Sequence, residues 1–136
     1  MDLQSFFKMS YGLYVVSSKA DGKLGGCIVN TLSQVTAEPV RLSVAINKEN
    51  YTTELIRKSG CFTGAVLGKD APLSLIGQFG FHSGREIAKF DNISYKEDAQ
   101  GCPYPTDHMV AYYSCKVEQE VDLGTHVLFV GQALEA

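Results

Sequence analysis

The sequence predicts a mainly β protein, a small β-barrel carrying short peripheral helices, and three observations lead there. Residues 39–47 alternate cleanly: Val40, Leu42, Val44 and Ile46 face one way, Arg41, Ser43 and Asn47 the other. That is the two-residue period of a half-buried strand. A second alternating stretch, 110–121, meets a turn at 122–125 and a returning apolar run at 126–132. Short apolar runs between glycine-bearing turns recur six or seven times along the chain, mostly as hairpins. Such a series favours a barrel over a sandwich.

The elements follow in order. Residues 1–10 form a short amphipathic helix, with Leu3, Phe6, Phe7 and Met9 on one side. Residues 12–17 read as a strand from their β-branched and aromatic content, and Asp21-Gly22 marks a tight turn into a partner strand at 24–29. Gly25 and Gly26 predict either a bulge or another group in close approach. Residues 30–36 read as a loop, and the strand at 39–47 follows. A helix capped by Asn50 or Thr52 then carries Leu55 and Ile56 and stops at Gly60, with Arg57 and Lys58 in its last turn. Residues 61–67 are a strand, and a short helix opens at Asp70 or Pro72. Ser83 with Glu86 three residues on is a capping-box pattern, which predicts a brief helix through Phe90. The polar stretch 91–107 is expected as a surface connection.

At 136 residues the chain is long enough for one core, and we expect a single domain over 1–136. A net charge of -3 and no Lys/Arg cluster argue against nucleic-acid binding. No apolar run approaches the ~20 residues of a membrane span and no signal-peptide pattern opens the chain, so neither membrane nor export is expected. The four cysteines, Cys27, Cys61, Cys102 and Cys115, contain no CxxC pair, which excludes zinc and rubredoxin patterns. They read as buried thiols of a reduced, cytoplasmic protein.

Chemistry-bearing motifs are few. Residues 64–70 are one residue short of a phosphate-binding Walker loop and carry Asp70 where a hydroxyl is needed. No dinucleotide fingerprint, nucleophile elbow or zinc-protease motif occurs. Two polar clusters flank the 39–47 strand instead. Asn30, Thr31, Leu32, Ser33, Gln34, Val35 and Thr36 offer amide and hydroxyl groups suited to a flat heteroaromatic with polar edges. Lys48, Asn50, Tyr51 and Thr52 stand at a helix start, where free N–H groups favour an anion. An ordinary capped helix beside an exposed lysine accounts for the second cluster equally simply.

These two clusters together resemble the signature of the flavin reductase-like, FMN-binding split-barrel family. Residues 81–90, with Ser83, Arg85, Lys89 and Phe90, resemble its second motif, built on Ser, Arg and Lys-Phe, and residues 124–131, opening Gly124-Thr125-His126, resemble its third. The motifs stand in family order across nearly the whole chain. The resemblance implies a split β-barrel in which 30–36 hold the isoalloxazine ring of FMN. It implies further that Lys48, Asn50, Tyr51 and Thr52 hold the ribityl phosphate, while Ser83, Arg85 and Lys89 close the site. His126 matches a position associated with nicotinamide; the alternative is a histidine satisfied at a strand start. Homodimers are typical of the family. Its members usually continue past the point matching Ala136, so a domain lacking the C-terminal strand and tail is expected. With no tryptophan in the chain, Tyr51 or Phe81 would supply any aromatic contact to the flavin.

The implied function is hydride transfer from NAD(P)H to FMN and onward to an acceptor, a small flavin or a redox partner protein. An FMN-bound electron carrier with little nicotinamide turnover is the main alternative. A ligand-binding barrel without redox chemistry is a third.

Overall fold

In the computed structural model, which describes residues 1–136, seven antiparallel strands form one curled sheet. Strands β1 (Tyr14–Ala20) and β2 (Lys23–Val29) form a hairpin whose turn residues, Asp21 and Gly22, both take positive φ, as a two-residue turn matching strand twist requires. Next come β3 (Ser33–Ala37) and β4 (Val40–Asn47), helix α1 (Tyr51–Ser59), β5 (Cys61–Leu67) and helix α2 (Leu73–Gly80). Two short strands, β6 (Tyr95–Glu97) and β7 (Pro103–Pro105), pair only with each other. The long strands β8 (Met109–Asp122) and β9 (His126–Glu135) finish the chain. The sheet order is β2-β1-β5-β8-β9-β4-β3. The predicted mainly β architecture with few short helices is what the structure shows. No helix is long and apolar enough to cross a membrane.

The inner face of the curled sheet carries the main set of large apolar side chains. Val16, Val29, Leu42, Val44, Ile46, Phe62, Cys115, Val127 and Phe129 make one buried cluster drawn from six strands. Fully burying each large side chain in it stabilises the fold by about 1.5–3 kcal/mol. Ile56 of α1 joins from one side and Leu32, in the β2–β3 connection, from another. Gly64 makes room for Leu32: a Cβ there would stand 2.7 Å from Leu32 Cδ2. A second cluster on the outer face of β1 seats α2 through Val15, Leu75, Phe79 and Phe90.

Gly25 and Gly26 lie in regular register, so of the two expectations close approach holds and the bulge does not. A Cβ on Gly25 would meet Leu55 Cδ1 at 2.6 Å, and one on Gly26 would meet Phe79 at 3.0 Å. The paired glycines let both helices press onto β2.

Several expectations are corrected. The N-terminal helix is a 3₁₀ turn over Leu3–Lys8 with no buried residue, because no surface of the barrel faces its apolar side chains. The 30–36 loop becomes an edge strand from Ser33 onward, its backbone pairing with β4. The helix expected after Ser83 is a single turn: Glu86 and Ile87 N–H both donate to Ser83 O, and no helical ladder follows. Residues 91–107 are more than a surface connection, since they strap onto β5 and β8. Buried Asp98 accepts from Cys102 N (2.8 Å), Gln100 N (2.9 Å) and Ser114 Oγ (2.5 Å), and Thr63 Oγ1 donates to Pro103 O (2.6 Å). The strap lays Cys102 against Cys61, and the two form a disulfide; only Cys27 and Cys115 are free thiols. The reading of four reduced thiols is corrected accordingly.

Candidate functional site

The site begins where β4 ends. Asn47 Oδ1 accepts from Glu49 N (2.9 Å), Asn47 O accepts from Asn50 N (3.0 Å), and Thr53 Oγ1 donates back to Asn47 O (2.7 Å). This turn delivers Asn50 as the cap of α1, its Oδ1 accepting from Thr52 N at 2.9 Å. Asn50, not Thr52, is therefore the cap, and Thr52 is left free to turn inward, where it is fully buried.

Beneath Thr52 lies Cys27 of β2. Burial pushes its thiol up to about 11, while hydrogen bonds from Thr52 and Asn50 and the nearby Lys89 charge pull the other way. Lys89 arrives from the 83–90 segment and is 3% exposed. Its ammonium has one hydrogen-bond partner, Phe79 O at 3.0 Å, although it carries three donors. Burial lowers its pKa, with the Cys27 charge acting in the opposite sense. A buried ammonium with one carbonyl partner for three donors, coupled to Cys27 beneath Thr52, suits an anion.

Arg85 clamps the same segment to α1. Its Nη1 donates to Glu49 O (2.9 Å) and its Nη2 to Glu54 Oε2 (2.9 Å), and the guanidinium lies 5.3 Å from the centre of the Tyr51 ring. Ser83 Oγ accepts from Arg85 N (3.1 Å), which fixes the turn that aims the side chain. Between this loop, Tyr51 and the β1–β2 hairpin runs a groove of about 510 Å³, with Lys23, Gly84 and Ile87 in its walls.

Residues 30–36 divide. Thr31 Oγ1 donates to Ala45 O (2.7 Å) and accepts from Ala45 N (3.3 Å), tying the β2–β3 connection to β4 two residues before Asn47. Asn30 and Thr31 thus stand beside the α1 turn, with Leu32 buried as their anchor. Ser33, Gln34, Val35 and Thr36 run away along β4, where Ser33 pairs with Ser43 and Thr36 with Arg41. At about 3.3 Å per residue, Thr36 lies roughly 13 Å along the strand from the Thr31 tie. Ser33 and Gln34 instead line a second cavity of about 280 Å³ with Tyr14, Leu42 and Tyr113.

The last motif joins the first cluster through register. His126 is the cross-strand partner of Asn47, and Lys48 N donates to Thr125 O at 3.0 Å. His126 Nδ1 lies 2.8 Å from Thr125 Oγ1, which leaves Nε2 for another group. Lys48 Nζ donates to Asp122 Oδ1 at 2.6 Å. Phe81 is 81% exposed and contacts none of this, while Tyr51 is half-buried in the groove wall.

Asn30, Thr31, Lys48, Asn50, Tyr51, Thr52, Ser83, Arg85, Lys89 and His126 therefore gather at one end of the barrel, and Val35 and Thr36 do not. The sequence reading missed Cys27, Glu54 and Asp122. Asp122 had a signal, because Glu118, Glu120 and Asp122 alternate on one face of β8 and invite cations opposite.

The flavin reductase-like domain family matches residues 6–136. The chain belongs to that family. It is 46% identical over 136 residues to the ferric-chelate reductase (NAD(P)H) of Archaeoglobus fulgidus, covering all of this chain and 80% of that protein. It is 43% identical over 136 residues to the high molecular weight rubredoxin of Moorella thermoacetica, of which it spans 59%. Among solved structures, the flavoredoxin of Methanosarcina acetivorans superposes with a TM-score of 0.85 at 21% identity, covering 92% of this chain and 67% of that one. At that identity the last likeness speaks for the fold, and it places the flavin reductase-like barrel on firm ground.

Proposed function

We propose that this flavin reductase-like chain is an NAD(P)H-dependent FMN oxidoreductase acting as a homodimer. The observation that carries the reading is the buried Lys89 ammonium, with its single carbonyl partner, coupled to Cys27 beneath Thr52 at the start of α1. A phosphate monoester supplies the missing acceptors with the right charge. The residues present thus fit FMN. Lys89, Thr52 and Lys48 would hold its phosphate, Asn30 and Thr31 the polar edge of its ring, and Tyr51 would offer an aromatic wall.

Bound FMN supplies hydride acceptance, so the protein's own groups need only bind, align and exclude water. That explains the lack of a nucleophile or acid–base dyad. His126 is held by Thr125 at the rim and aligns the nicotinamide. Arg85 closes the 83–89 turn over the site through Glu49 O and Glu54. The name of the Archaeoglobus relative supports a nicotinamide donor and admits ferric chelates as acceptors. The Moorella relative's name supports a second reading, an FMN carrier exchanging electrons with a protein.

The dimer reading rests on the N-terminal segment, where Leu3, Phe6, Phe7, Met9 and Tyr11 are all exposed in one short stretch. Monomers rarely expose such a strip.

Two measurements test the proposal. Purified protein is expected to take up FMN with a shift in the visible spectrum, and to oxidise NAD(P)H when flavin is present. Protein that fails to bind FMN would sink both redox readings, and binding without NAD(P)H oxidation, with or without free flavin, would leave only the carrier. Light scattering is expected to return twice the chain mass; a monomer would refute the dimer.

A further inference from the structure

Strand β8 presents Glu118, Glu120 and Asp122 on one face, and each takes a cation from another element. Arg41 Nε donates to Glu118 (2.7 Å), Arg57 pairs with Glu120, and Lys48 Nζ donates to Asp122 (2.6 Å). The first two pairs bind scaffold to scaffold. The third joins the α1 turn to the 124–126 turn, since Asp122 Oδ1 also accepts from Gly124 N at 2.8 Å. Gly124 takes φ +90°, which glycine adopts without strain, and the Asp122 carboxylate satisfies its N–H.

Asp122 thus does two things with one oxygen, and only one of them is electrostatic. Its side chain is 71% exposed, against 32% for Lys48. The carboxylate can therefore leave the ammonium for water at little cost, whereas Lys48 stays anchored at the site through its backbone bond to Thr125 O. A phosphate taken by Lys48 shares the ammonium with this carboxylate and is repelled by its charge.

We propose that Asp122 is an internal counter-ion of the flavin-phosphate site: it holds the Lys48 ammonium when no phosphate is present and competes with that phosphate when it binds, which sets how readily FMN exchanges. This rests on the reading of Lys48 as a phosphate ligand and deepens it. Asp122 is a positioning residue, acting on the ligand only through Lys48. The competition weakens FMN and leaves riboflavin, which has no phosphate, unaffected.

Asp122→Asn separates the two roles, because an amide oxygen still caps Gly124 while the charge is gone. The experiment titrates FMN and riboflavin by flavin fluorescence into wild type, D122N, K48A and the double variant, with a thermal melt of each. D122N is expected to bind FMN about fivefold more tightly, roughly what an exposed ion pair is worth, with riboflavin affinity unchanged. The gain is expected to shrink by at least half when Lys48 is absent. Unchanged FMN affinity in D122N, or an equal gain with and without Lys48, overturns the counter-ion role. If K48A itself binds FMN as wild type does, it is the phosphate assignment of Lys48 that fails, a separate result.

Discussion

Lys89→Met makes the strongest test of the anion site, because it removes a charge and keeps the volume. In the folded protein the ammonium is almost wholly buried and makes one hydrogen bond, to Phe79 O at 3.0 Å. Hydrogen bonds to charged groups contribute about 1.5–3 kcal/mol. If FMN phosphate fills the remaining donors, losing it weakens FMN binding by a similar amount, roughly 10- to 150-fold. Stability moves the other way. Exchanging a poorly paired buried ion for an apolar side chain of similar volume is neutral or stabilising by about 1–4 kcal/mol, so urea midpoints without FMN should hold or rise. pH adds a sign. The Lys89 pKa is lowered in the fold by burial, so between its folded value and the ordinary lysine value of 10.5 the unfolded chain binds more protons. Unfolding free energy therefore rises with pH through that window, and K89M should lose this rise. The assay pairs FMN and riboflavin titrations with urea melts at pH 7 and in the alkaline range. FMN affinity equal to wild type in K89M refutes the anion site. A large loss of apo stability would instead assign Lys89 to bracing the end of α2.

Three further outcomes follow from other parts of the structure. His126→Ala is expected to raise the KM for NAD(P)H about tenfold with FMN affinity unchanged, read by steady-state kinetics beside a flavin titration; an equal loss of FMN would move His126 into the flavin site. Gly64→Ala would set a methyl group 2.7 Å from Leu32 Cδ2, and overpacking of this kind costs about 1–3 kcal/mol. Denaturant melts should show that loss, and FMN affinity should fall too, because Leu32 anchors Asn30 and Thr31. Cys27 and Cys115 are held up to about 11 and about 12 by burial, so at pH 8 the native protein should show no fast-reacting thiol with an aromatic disulfide reagent. One rapid equivalent would mean that Cys27 is more open than its packing under Thr52 implies.

Much of this architecture was legible because local pattern and tertiary structure agree. The alternation in 40–46 and the turn at Asp21-Gly22 each have one physical solution, and the structure adopts it. The Asn50 cap and the Gly60 stop, at φ +73°, bounded α1 for the same reason. The failures are places where distant contacts overrode local signals. Ser83 and Glu86 satisfy the capping-box pattern, yet Arg85 and Lys89 are drawn in different directions, to Glu54 and Phe79 O, and no helix can satisfy both. Residues 91–107 looked like a polar connection because Asp98 is charged. Its burial depends on Ser114 and on two backbone N–H groups, of which one comes from Cys102. The disulfide lay beyond sequence for the same reason: Cys61 and Cys102 are 41 residues apart and meet only because the strap folds back.

Convergence of the motifs rests on register more than on the motifs themselves. Asn47 and His126 form the terminal rung of the β4–β9 ladder, and Thr31 is fixed to Ala45 two residues earlier. Successive strand residues face opposite sides, so a slip of one residue would turn His126 away and break the Lys48–Thr125 bond. The slip would also take one strand's pair, Val44 and Ile46 or Val127 and Phe129, out of the interior, where each is at most 2% exposed. Losing even two such side chains from the core costs several kcal/mol, comparable to the whole stability of a small domain. The apolar alternation on β4 and β9 thus does two jobs at once. It fills the barrel, and by making every other register prohibitive it delivers the α1 turn and the His126 turn to the same rim.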